Sequence, residues 1–175
     1  MSKLKQILLL RHAKSSWADP IAGDFSRPLS ERGQCASVAM GRQLTRLDIV
    51  PQVILCSSAK RTRETYEGLG SAVEGVPVEF TDAIYEASVD RLLNVLRGAD
   101  DSLNRIMMIG HNPGIATLAK LLCDGHGNEK ALARIAEKYP TGALAVLETD
   151  SPSWDELGQG SCSLKAFMRP VDLDS

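Results

Sequence analysis

The strongest constraint on this 175-residue chain is the stretch Ile7-Leu8-Leu9-Leu10-Arg11-His12. Four apolar residues run without a break and then meet an arginine and a histidine. A strand wetted on one face would alternate. An unbroken run calls for burial on both faces, as at the centre of a parallel sheet. In open α/β sheets the carboxyl ends of such strands are where ligands bind. A cation and a titratable ring nitrogen at that place suit an anion.

Bulk properties narrow the choice of anion. The length suits one well-buried domain, residues 1–175. The net charge of −2 offers no broad basic field for nucleic acid or an anionic membrane, so local arginines must hold the anion. The start has no signal-peptide layout, and Ile7–Leu10 is too short to span a bilayer, so a cytoplasmic location is expected. Cys35, Cys56, Cys123 and Cys162 are scattered without metal or redox spacing, and buried free thiols are expected.

The remaining pattern predicts an α/β three-layer αβα sandwich around a mostly parallel sheet. Residues 16–28, rich in Asp, Pro, Gly and Ser, read as a loop in which Trp17 and Phe25 either line a rim or pin the loop. Ser30 suits the N-cap of a helix over 31–47. Strand 53–56, a helix over 59–73, a short strand at 76–80 and a helix capped by Ser88 follow. Strand 105–109 leads to Asn112 as N-cap and Pro113 as first helical residue. A helix at 129–138 precedes two late strands, 143–148 and 163–168. These form a hairpin, with Trp154 in the connection, at an antiparallel edge. Strands alternating with helices imply parallel pairing.

In that arrangement Arg11-His12, Ser57–Arg61, Glu86 and His111-Asn112 all lie in strand-to-helix turns, hence on one rim. Two arginines, two histidines and a carboxylate there describe phosphoryl transfer. Arginine forks onto phosphate, and histidine can be nucleophile or proton donor.

Leu10-Arg11-His12-Ala13-Lys14, Ser57-Ser58-Ala59-Lys60-Arg61-Thr62-Arg63-Glu64-Thr65 and Gly110-His111-Asn112-Pro113-Gly114 resemble, in order, three signature blocks of the histidine phosphatase (phosphoglycerate-mutase-like) superfamily. The short length, Pro140–Leu144 and Phe167–Pro170 look most like its small SixA-type phosphohistidine phosphatases. The resemblance implies that His12 is a nucleophile that becomes phosphohistidine. It implies that Arg11, Arg61 and His111 hold phosphoryl oxygens, that Asn112 orients the turn around His111, and that neither metal nor cofactor is needed. Ala13 and Lys14 depart from the usual glycine and the frequent acid. Lys14 either favours an acidic partner or is simply solvated. Ser57 either binds phosphate or caps the following helix. Glu86 is either a general acid or an ordinary exposed residue. Arg63 and His126 are expected at the surface. The implied substrate is a phosphorylated protein of the histidine phosphotransfer type. The alternatives are a small phosphorylated metabolite or, from another class, non-catalytic binding of a phosphoprotein.

Overall fold

The structure, a computed structural model, describes residues 3–173. Among these, eleven regular elements follow in order: β1 (Lys5–Arg11), α1 (Glu31–Arg46), β2 (Val53–Ser57), α2 (Lys60–Gly68), β3 (Val78–Thr81), α3 (Val89–Arg97), β4 (Arg105–Gly110), α4 (Gly114–Cys123), α5 (Glu129–Glu137), β5 (Leu144–Thr149) and β6 (Ser163–Met168). The strands form one sheet in the order β3-β2-β4-β1-β5-β6. β3, β2, β4 and β1 are parallel, whereas β5 runs antiparallel to β1 and β6 antiparallel to β5.

The apolar run at the start of the chain divides by parity, because successive strand side chains point to opposite faces. Ile7 and Leu9 pack with Ile106 and Met108 under α3, α4 and α5. Leu8 and Leu10 pack with Met107 and Ile109 under α1, including Met40 and Leu44. Both faces of the sheet are therefore covered, which makes three layers. No helix among the described residues is long and apolar enough to cross a membrane.

Four expectations shift. The helix expected over 59–73 stops at Gly68, and a 3-10 turn occupies Gly70–Val73. Gly70 has φ +59°, which breaks the helical path. Strand β3 starts after Pro77, whose carbonyl accepts from Ile54 N–H. Pro113 takes the N-cap position of α4, one residue later than expected. Asn112 still serves the first turn, through Oδ1 accepting from Ala116 N–H at 3.3 Å. Finally, Cys35 is exposed while the other three cysteines are buried. It lies outside the inward positions Gly33, Ser37, Met40, Gly41 and Leu44 of α1.

This topology fixes the site's place. The carboxyl ends of β2, β4 and β1 lie side by side, and the reversed β5 brings its amino end to the same rim. Gly142 N–H donates there to Arg11 O and His12 O, at 3.1 and 2.9 Å.

Candidate phosphoryl-binding site

His12 follows the last residue of β1. Its N–H donates to Gly110 O at 3.0 Å, so its backbone is tied to the end of β4 as well as to Gly142. The side chain is buried, and Nδ1 lies 2.7 Å from Ala13 O. A carbonyl can only accept, so Nδ1 carries the proton and Nε2 keeps the lone pair. Burial lowers the ring pKa to about 4; the Ala13 hydrogen bond opposes this, and Arg61, Arg11 and Arg27 add to it. At neutral pH the ring is therefore an uncharged imidazole.

His111 follows β4. Its ring centroid stands 5.3 Å from that of His12. Its Nε2 is 2.7 Å from Ser57 Oγ. If the Ser57 hydroxyl donates to Nε2, the ring proton sits on Nδ1; if Nε2–H donates to Ser57, Nδ1 keeps the lone pair. Burial, then Arg61 and His12, lowers this ring's pKa to about 3. Ser57 itself is fully buried, and its Oγ also accepts from Ala59 N–H at 3.4 Å. The structure thus places Ser57 behind His111 and not on the cavity wall.

Arg11 and Asn112 are aimed by one carbonyl. Tyr139 O accepts from Arg11 Nη1 at 2.9 Å and from Asn112 Nδ2 at 3.0 Å. Tyr139 is anchored in turn by donating its hydroxyl to Leu9 O and by an edge contact with Phe167. Asn112 therefore commits its Oδ1 to the first turn of α4 and one Nδ2 proton to Tyr139 O. Desolvation, with Arg61 contributing, lowers the Arg11 pKa.

Arg61 comes from the first turn of α2 and is buried. The rest of its sequence block ties the surrounding chain together. Thr65 Oγ1 accepts from Ala13 N–H at 3.0 Å, and Glu64 accepts from Leu29 N–H at 2.9 Å. Lys14 O accepts from both the N–H and the hydroxyl of Ser30, the N-cap of α1. Helix α1 approaches so closely there that a Cβ on Gly33 would lie 2.0 Å from Lys14 O.

Two further residues, Arg27 and Asp24, complete the wall, with Tyr85 behind them, and the sequence motifs contain none of the three. Arg27 is buried and stacks its guanidinium 3.6 Å from the Trp17 ring centroid. Asp24 pairs with Arg61 and Arg27. Tyr85 donates to Asp24 and stands edge-on to His111. Trp17 and Phe25, left open between rim and pin, each engage the wall: Trp17 covers Arg27, and Phe25 meets Tyr85 at 5.1 Å. Opposite charges three residues apart, at Asp24 and Arg27, were the one available signal in that loop.

Arg11, His12, Arg27, Arg61, His111 and Asn112 line a single cavity of about 860 Å³. Lys14 and Glu86 are exposed on its wall, and Glu86 adopts φ +49°. Among the described residues, the buried side-chain polar atoms without a hydrogen-bond partner are Arg11 Nε, Arg27 Nε and Nη1, Arg61 Nε and His111 Nδ1. All are nitrogens, and all belong to this wall. The guanidinium nitrogens can only donate, and buried donors normally find acceptors, so this group suits an oxyanion with several acceptor oxygens. Among the described residues no three His, Cys, Asp or Glu side chains gather in a way that could hold a metal ion. Arg63, expected at the surface, is exposed but bonded to Ser58 O. His126 is exposed.

Fold and site together define an α/β protein with a cluster of unpartnered arginine nitrogens at the carboxyl rim of its sheet, beside a neutral histidine. The chain belongs to the histidine phosphatase superfamily, whose branch 1 family model matches residues 7–97. An uncharacterised protein of Mycobacterium leprae is 36% identical over 166 residues, covering 92% of this chain and 99% of the relative. The structure of SixA from Nakamurella multipartitia superposes with a TM-score of 0.83 at 27% identity, covering 97% of this chain and 98% of that one. The fold also matches that of the protein histidine phosphatase SixA complexed with tungstate, with a TM-score of 0.77, 20% identity and 95% and 98% of the two chains covered.

Proposed function

We propose that this protein is a phosphatase that works through a phosphohistidine on His12 and acts on phosphohistidine carried by a signalling protein of the phosphotransfer type. The observation that carries the reading is the pairing of a neutral His12, with its lone pair on Nε2, and five unpartnered buried nitrogens around the same cavity. Nε2 attacks phosphorus, and a P–N bond forms as the bond to the leaving group breaks. Water then attacks the same phosphorus, the P–Nε2 bond breaks, and phosphate leaves. The Nδ1–H bond to Ala13 O supports the positive ring that exists between these steps. Covalent catalysis thus divides one difficult displacement into two easier ones. The arginines meet the charge spread over the equatorial oxygens, and the scheme calls on no metal.

Two features support a protein substrate. Exposed Lys14, Trp17 and Glu86 form part of the cavity wall, so the mouth opens at the surface. The structural neighbour carrying tungstate is described as a protein histidine phosphatase. A departing imidazole can also bring its own proton, so that substrate asks little of Glu86. The second reading, hydrolysis of small phosphomonoesters, draws on Glu86, whose place on the wall suits protonation of a departing alkoxide.

The test is a rapid-quench comparison of a phosphohistidine-bearing phosphotransfer domain with an alkyl phosphate, with and without excess chelator. The expected result is an acid-labile, base-stable phosphoryl group on His12, faster turnover of the protein substrate and no chelator effect. His12→Ala should lower turnover on the order of 10⁴-fold or more. Robust turnover by that variant would remove His12 from the mechanism. A preference for the alkyl phosphate would favour the second reading, and vanadate binding without turnover of any substrate would favour a binding module.

A further inference from the structure

Asp24 is one of two carboxylates, with Glu86, on the wall of a cavity rich in unpartnered arginine nitrogens. It lies on a short 3-10 turn, Asp24–Ser26, in the loop between β1 and α1. Its backbone carbonyl accepts from Arg61 Nη1 at 2.7 Å, and its Oδ2 accepts from Arg61 Nη2 at 3.1 Å. One residue thus grips the guanidinium at both terminal nitrogens and leaves Nε unpartnered. The other carboxylate oxygen, Oδ1, lies 3.4 Å from Arg27 Nη2. Tyr85 hydroxyl donates to Oδ2 at 2.6 Å.

We propose that Asp24 is a positioning residue of the phosphoryl site: its carboxylate bridges Arg61 and Arg27 and holds the two guanidinium groups in one arrangement before an anion arrives. This rests on the reading of the cavity as a phosphoryl site. Two neighbouring arginines repel each other, and long side chains lose rotamer freedom when an anion orders them. A carboxylate between them offsets the repulsion and orders both in advance. The Tyr85 hydrogen bond, with Arg61 and Arg27, holds the Asp24 carboxyl below its ordinary value, so it stays ionised as a clamp.

The opposing possibility is that Asp24 is a counter-ion that phosphate displaces. The two make opposite predictions. Orthovanadate affinity is measured by calorimetry for wild type, Asp24→Ala and Asp24→Asn, each also in an Arg61→Ala background. A clamp predicts about tenfold weaker binding in Asp24→Ala. The loss should be smaller in Asp24→Asn, which keeps one acceptor oxygen. It should shrink when Arg61 is absent, leaving only the share that acts through Arg27, because residues acting as one unit are not additive. Tighter binding in both Asp24 variants would overturn the proposal in favour of the displaced counter-ion. An equal loss with and without Arg61 would reduce Asp24 to a structural role. If Asp24→Ala does not fold, the pair of Asp24→Asn measurements decides on the same terms. Vanadate binding does not depend on the substrate. Failure to hydrolyse phosphohistidine therefore leaves this inference standing, while failure of wild type to bind vanadate overturns both.

Discussion

At the amino end of the parallel strands, Arg105 donates from Nε to Gln6 Oε1 at 2.7 Å and from Nη1 to Val50 O at 3.2 Å. Lys5, which is buried, donates to Asp101 O and Leu103 O and lies 4.7 Å from the Trp154 ring. At the carboxyl end, Arg11, Arg27 and Arg61 each leave at least one buried nitrogen unpartnered. Strand β1 takes part in both regions, beginning at Lys5 and ending at Arg11. Taking a cation out of water costs free energy at either end. At the carboxyl end Tyr139 O and Asp24 accept from part of these groups and leave other nitrogens over, whereas at the amino end the protein's own acceptors meet the donors in full. Satisfied donors there hold the sheet together, whereas unsatisfied donors opposite hold a geometry ready for a ligand. Such a site gives up stability for preorganisation.

Acid should expose the difference most strongly. His12 and His111 have pKa values lowered to about 4 and about 3, against 6.5 for an unperturbed histidine. Between those values and 6.5 the unfolded chain binds protons that the folded one excludes. Stability is therefore full above pH 6.5 and falls progressively as the pH drops through about 4 and then about 3, by several kcal/mol for the two rings together. Saturating phosphate should soften the fall, because an anion favours the protonated rings. Chemical denaturation across this range should show a shallower acid slope in a His12→Gln, His111→Gln double variant. An unchanged slope would mean that carboxylates elsewhere dominate acid unfolding.

Exchanging one arginine at each end sharpens the contrast. Arg61→Ala removes a charge-assisted donor worth roughly 1.5–3 kcal/mol, so phosphate inhibition should weaken tenfold to a hundredfold. Its unliganded thermal midpoint should change little, since relief of repulsion with Arg11 and Arg27 offsets the lost contacts with Asp24. Arg105→Ala should do the reverse, lowering the midpoint by about 2–4 °C and leaving inhibition untouched. A loss of inhibition in Arg105→Ala, or a large loss of stability in Arg61→Ala, would break the division between the ends.

Sequence reading reaches the part of this design that regular structure carries. Residues one or two places beyond a buried strand, such as His12 and His111, must lie on the rim once the strand is recognised. Their companion Arg61 follows from the first turn of α2. The antiparallel hairpin of β5 and β6 follows equally from its two apolar runs. Asp24, Arg27 and Tyr85 come from irregular segments whose course depends on tertiary bonds, and no period announces them. Gly70 shows the same limit within a helix, because only its backbone angle reveals the break. For Ser57 both open readings looked toward a ligand or a helix end, whereas its hydroxyl serves a histidine from another strand.

Ser57 also supplies the smallest and most discriminating test. It is polar, fully buried and at the carboxyl rim, yet its hydroxyl is engaged on both sides, by His111 Nε2 and Ala59 N–H. By place it belongs to the reactive end; by hydrogen bonding it resembles the amino end. Ser57→Ala leaves both partners without the hydroxyl and frees the His111 ring to exchange tautomers. Loss of such a bond costs about 1 kcal/mol, so kcat/KM should fall by only about fivefold. If the serine acts by holding the proton on His111 Nδ1, the loss should appear in kcat/KM and in vanadate affinity together. Ser57→Thr, which keeps the hydroxyl, should recover most of it if the extra methyl fits. If the serine merely fills space, Ser57→Ala should lower the thermal midpoint and leave vanadate affinity unchanged. That result would assign Ser57 to the scaffold and place the boundary of the site at the histidine ring.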